Sequence, residues 1–127
     1  MTTELSYLLL STALLVGVHL LEVMHNLIGQ GILPALHGYK PSEKPAWRTR
    51  LAAVETNLAH NLVIFAVLVF AAHVLKVNGA GTALGASIFF FARVVHALAY
   101  AAAVPFVRAV AYMASLAGFV FIALELF

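Results

Sequence analysis

The 127-residue sequence contains no cysteine. That excludes a disulfide framework, a protein thiolate nucleophile and any cysteine metal site. Charge is scarce as well. Only 9% of residues are charged, against roughly a quarter in an ordinary soluble domain. Seven basic and five acidic residues leave a net charge of +2, too little for a nucleic-acid surface, so no nucleic-acid partner is expected. No block of acidic, basic or low-complexity sequence occurs, which excludes disorder. What is present is apolar: 64% of residues are hydrophobic and the mean hydropathy is +1.02. Such a chain cannot clothe a water-facing surface. It reads as an integral, multi-pass membrane protein, all-α, with residues 1–127 forming a single transmembrane domain.

A transmembrane helix needs about 20 mostly apolar residues. Four stretches qualify: Leu5–Leu27, Trp47–Leu75, Thr82–Ala103 and Pro105–Phe127. The connections between them carry helix breakers. Gly29–Pro45 is rich in glycine and proline, Val77–Gly81 is a short turn, and Val104-Pro105 breaks the last two spans apart. The N-terminus has no basic region or small-residue cleavage site, so the first span is expected to remain in the mature chain. Lys40, Lys44, Arg48, Arg50 and Arg108 cluster on one side. The positive-inside rule then puts the first and third connections in the cytoplasm and both termini outside. Tyr39 and Trp47 suit an interfacial aromatic belt. The short loops suit a bacterial inner membrane.

Ionisable residues inside a membrane are costly and tend to mark function. The first span carries His19, Glu22, His25 and Asn26. The second carries Arg50, Glu55, Asn57, His60 and Asn61, and the third carries Arg93, His96 and Tyr100. Helical rise puts Glu22 about 10 Å from the cytoplasmic breaks, His96 about 12 Å, Asn57 about 15 Å and Arg93 about 16 Å. Antiparallel spans thus bring their polar residues to one level. They also share faces: Arg50 returns to the angle of Asn57, and Arg93, His96 and Tyr100 follow the spacing of one helical face. This predicts a four-helix bundle with a polar pocket in its cytoplasmic half. Arginines line the pocket, so its ligand should carry anionic groups such as carboxylates. The surrounding lipid allows a second, apolar ligand to enter from the bilayer.

Other readings of the same residues stand beside this one. Buried polar side chains in membrane bundles often only bond across helices. Glu22 with Arg93 suits a structural ion pair, and Arg48 with Glu55 suits another at the membrane boundary. His19-x-x-Glu22-x-x-His25 offers metal ligands on one helix, and His60 with His96 could belong to a metal or haem site. Three residues at that spacing spread around the helix rather than converging.

Two stretches carry a family resemblance. One is Arg50-Leu-Ala-Ala-Val-Glu-Thr-Asn57-Leu-Ala-His60-Asn-Leu-Val-Ile-Phe65. The other is Phe91-Ala-Arg93-Val-Val-His96-Ala-Leu-Ala-Tyr100, followed by Val104-Pro105-Phe-Val-Arg108. With the length, the four spans and the basic first loop, the chain resembles the MAPEG family, the membrane-associated proteins of eicosanoid and glutathione metabolism. The resemblance implies a homotrimer of four-helix subunits with glutathione as co-substrate and a lipophilic second substrate. The activity implied is that of a microsomal-type glutathione transferase or peroxidase acting on lipophilic electrophiles. Arg108 would hold the glutathione thiolate and Tyr100 would assist it as the second catalytic residue. Arg50, Asn57, His60, Arg93 and His96 would bind glutathione, and no residue is assigned to a metal. The sequence departs from the family pattern at Ala53, His60 and Val63, where an arginine, a glutamate and a proline are usual. Those departures favour the alternative, a non-catalytic lipid-binding or scaffold protein on the same fold.

Overall fold

The computed structural model describes residues 1–38 and 45–127. Tyr39, Lys40 and Lys44, on which part of the orientation and belt readings rest, lie outside the described residues. Four long helices dominate: α1 (Thr3–Gln30), α3 (Ala46–Val74), α4 (Ala80–Ala101) and α5 (Pro105–Leu126). A short α2 (Ile32–Leu36) follows α1. All four long helices are long and apolar enough to cross a membrane. Large side chains such as Leu21, Ile28, Val63, Phe70, Phe106 and Leu124 face outward, as lipid-facing positions should.

The helix ends explain where the spans stop. The first runs through Gly29 and ends at Gly31, whose φ of 80° only glycine adopts without cost. The expected break at Gly29 therefore falls two residues later. Pro34 does not prevent α2, because a proline in the first turn forgoes an N–H that would have no partner there. Helices α3 and α4 finish alike. The Val77 N–H reaches back to the Ala72 carbonyl, and the Val104 N–H to that of Ala99. Both turns need a left-handed residue, yet Lys76 (φ 57°) and Ala103 (φ 58°) fill them. Pro105 opens α5 at its first position. The Thr82 hydroxyl accepts from the Gly79 N–H at 2.9 Å and so starts α4 inside the predicted turn.

Packing is uneven. Helices α4 and α5 share the largest contact, and α4 touches every other long helix. Among the described residues α1 and α5 do not meet, so α3 and α4 form the centre. A β-carbon added to Gly85 would lie 2.7 Å from the Gly118 carbonyl oxygen, and one added to Gly118 would lie 2.7 Å from that of Gly85. The two glycines let α4 and α5 touch backbone to backbone. Phe65, Phe89 and Phe119 stack beside them, with centroids 4.1 and 5.1 Å apart. Leu8, Val69, Ala86 and Ile122 complete this apolar core. All of it occupies the half of the bundle that holds the N-terminus. Glu4 is buried in that half and accepts a 2.5 Å hydrogen bond from Thr82, which ties the start of α1 to the start of α4.

Two substitutions test these features. Gly118→Ala should cost about 1–3 kcal/mol through overpacking against a backbone that cannot retreat. Ala103→Gly should stabilise by about 1 kcal/mol by relieving the left-handed residue. Thermal unfolding in detergent reads both, and they should shift Tm in opposite directions.

Candidate functional site

The other half of the bundle is polar. Arg93 lies on α4 with 1% of its surface exposed. Its Nη2 donates to the Asn57 side-chain oxygen at 2.9 Å and to the Asn57 backbone oxygen at 3.3 Å. Asn61 Nδ2 donates to that same backbone oxygen at 2.8 Å. The guanidinium carbon sits 5.7 Å from the Phe89 ring centroid and 5.6 Å from that of Tyr112 on α5. Both are cation–π distances. Its Nε and Nη1 are buried and have no hydrogen-bond partner among the described residues.

From Arg93 the group extends toward the end of α4. His96, also buried, has its ring 5.8 Å from Tyr100 and 6.2 Å from Tyr112. Arg108, one turn into α5, places its guanidinium carbon 4.7 Å from the Tyr100 centroid. Asn57, Arg93, His96, Tyr100 and Arg108 therefore form one connected cluster across α3, α4 and α5. Tyr112 belongs to the cluster and was missed in the sequence. It stands four residues after Arg108, one turn along the same face, and that spacing was the available signal. Arg50 shares the face of Asn57. It is half-buried, and its Nε is buried without a partner among the described residues. His60 is exposed, one turn beyond Asn57 and about 60° around α3; the structure does not draw it into the cluster.

A second polar group joins α1 to α3. His19 Nδ1 donates to Glu55 Oε1 at 2.7 Å, and Glu55 is also hydrogen-bonded to Glu22. Arg48 donates to the Asn26 side chain. The His25 ring meets Trp47 edge-on at 4.5 Å. Two expectations are corrected here. Arg48 and Glu55 do not pair with each other, because each faces α1 and finds its partner there. Glu22 does not pair with Arg93, because Glu22 engages Glu55 while Arg93 engages Asn57. The histidine–glutamate run of α1 is taken up in the same way, and among the described residues no group of three acidic or histidine side chains is arranged to hold a metal ion.

Two buried donors on Arg93 and one on Arg50 thus have no hydrogen-bond partner among the described residues, and such donors are the kind that carboxylates satisfy. The chain matches the MAPEG family pattern over residues 5–127. It belongs to the MAPEG family. No curated protein and no solved structure matches it. MAPEG proteins include glutathione transferases and peroxidases as well as non-catalytic members. The family match covers every residue of the cluster, from Asn57 on α3 to Tyr112 on α5.

Asn57→Ala removes the side-chain oxygen that Arg93 uses and leaves the backbone contact. It should destabilise by about 1.5–3 kcal/mol, the range for a hydrogen bond to a charged group. Thermal unfolding without ligand measures this. An unchanged Tm would mean that Arg93 has found another partner.

Proposed function

We propose that this protein is a membrane-bound transferase or peroxidase that uses glutathione against lipophilic electrophiles and works as a homotrimer. The observation that carries the reading is the buried Arg93 guanidinium, with its Nε and Nη1 unpartnered beside Asn57. A cation held inside a bilayer with idle donors is expensive unless an anion completes it. Arg93 and Arg50 would each receive a carboxylate of the co-substrate. The Asn57 side chain fixes Arg93 in place for this task.

Glutathione supplies the sulfur that the cysteine-free chain lacks. Arg108 would stabilise the thiolate by charge and hydrogen bonding. The Tyr100 ring beneath Arg108 holds the guanidinium, and its hydroxyl would serve as a donor to the sulfur. In the transferase reaction the thiolate forms a bond to an electrophilic carbon, and the leaving group departs with its electron pair. His96, packed among Tyr100, Tyr112 and Arg93, lines the site and orients the co-substrate. The electrophile would arrive from the lipid.

The alternative, a non-catalytic lipid-binding member, has one observation in its favour. An open apolar groove of about 470 Å³ runs between α1 and α3, lined by Leu8, Leu15, Leu62, Val63 and Phe70 among others. Val63 is one of the departures from the family pattern, so that departure contributes to a lipid-accepting surface.

Calorimetric titration of the detergent-solubilised protein with glutathione, paired with a conjugation assay on a chloronitrobenzene, separates the two. The enzyme reading expects binding and turnover. Arg108→Ala should cut the rate about a hundredfold or more, as loss of an anion-stabilising donor does, with little change in Tm. Absence of both binding and conjugation, with lipid co-purifying, would leave the lipid-binding reading in its place.

A further inference from the structure

The α1–α3 seam keeps one antiparallel register. Asn26 meets Arg48, and seven residues along each helix His19 meets Glu55. Continued by a further half and whole heptad, the same register brings Leu15 to Ala59, Thr12 to Leu62 and Leu8 to Ala66. These residues all line the open groove of about 470 Å³. Its origin lies in Ala59 and Ala66, small side chains seven apart that leave the seam unfilled. Thr12 does not make it polar, because its hydroxyl donates to the Leu8 carbonyl at 2.9 Å.

The groove runs up to a polar trio. His19 stands one turn beyond Leu15, and Glu55 one turn before Ala59. Glu22, the next turn of α1, bonds to Glu55. The side chains of His19 and Glu55 are 57% and 25% exposed, so the trio is reachable from the lipid. A neutral imidazole that donates through Nδ1 accepts through Nε2, and two carboxyl groups sharing a proton keep further lone pairs. The trio thus offers acceptors at the end of an apolar trough. By helical rise His19 lies about 18 Å inside the end of α1, past the middle of a hydrocarbon core about 30 Å thick. A phospholipid head stays at the interface and does not reach that depth, and a charged head there is costly. We propose that the α1–α3 groove binds a single-chain lipid with a neutral hydroxyl head, a long-chain alcohol or alkylphenol. Its O–H donates to the trio, and its tail follows the groove for about 16 Å from His19 to Leu8. The site is separate from the α3–α5 cluster and does not depend on glutathione.

The test is photolabelling of the full-length protein in phosphatidylcholine nanodiscs. The probe is a dodecylphenol with a diazirine in its tail, and labelled peptides are mapped by mass spectrometry. Labels should fall on the α1 and α3 residues of the groove. Unlabelled dodecylphenol should compete on the order of tenfold better than its methyl ether, which keeps the tail and loses the donor, as one hydrogen bond to a charged group allows. His19→Phe should shrink that difference, and Ala59→Leu should remove labelling by filling the groove; if one variant fails to fold, the other carries the test. Equal competition by the ether, or labels placed elsewhere, overturns the proposal. Stronger competition by dodecylamine overturns it too, since the trio would then select a cation. So does an unlabelled groove in a protein whose oligomer mass, read by light scattering, falls on Ala59→Leu: a second copy of the chain would then be the occupant.

Discussion

Burying the guanidinium of Arg93 is the constraint around which the polar half of the bundle is arranged. A charge taken into an apolar helical core loses its hydration and must recover it from fixed dipoles. Asn57 offers two oxygens to one nitrogen of Arg93. Phe89 and Tyr112 offer their ring faces. One side chain on α4 is thereby held by residues of α3, α4 and α5, and the three helices cannot shift in register without unmaking those contacts. What they leave undone among the described residues is two buried nitrogens, Nε and Nη1.

The two halves of the molecule divide the labour. In the half with the N-terminus, stacked phenylalanines and the Gly85–Gly118 approach give close, apolar packing that asks for no partner. In the other half, rings and guanidinium groups stand at cation–π distances and donors remain idle. Stability concentrated at one end permits an under-satisfied site at the other, since strain in the polar layer is opposed by a core that does not yield. The α1–α3 seam is a third region. Its hydrogen bonds, His19 with Glu55 and Arg48 with Asn26, are between polar side chains.

Much of this was legible in the sequence for physical reasons. Long apolar runs broken by Gly31, Gly79 and Pro105 specify four spans, because only helices satisfy the backbone in lipid. The level shared by Asn57, Arg93 and His96 followed from helical rise alone. What escaped did so because one-helix arithmetic does not see neighbours. Arg48 and Glu55 share a face of α3 and looked like partners, but that face is covered by α1. Glu4, near the N-terminus, is buried on Thr82 of α4, a pairing that one helix alone does not reveal. Tyr112 sits in a run of apolar residues where a tyrosine reads as lipid contact, and only the position of α5 against α4 brings it to Arg93. Within Ile88–Phe91, Phe89 is buried in the stack while Phe91 is largely exposed, a split that one apolar run does not reveal.

The spacing of the two polar pairings carries a consequence for how the chain is made. Asn57 precedes Arg93 by 36 residues, and His19 precedes Glu55 by the same 36. A ribosome feeding spans into a bilayer from the N-terminus delivers the neutral amide before the guanidinium, so the cation meets its acceptor on arrival. On the α1 side the order offers no such shelter. His19 and Glu22 enter first and must wait in the translocation channel, or at its lipid seam, until the next span brings Glu55 alongside.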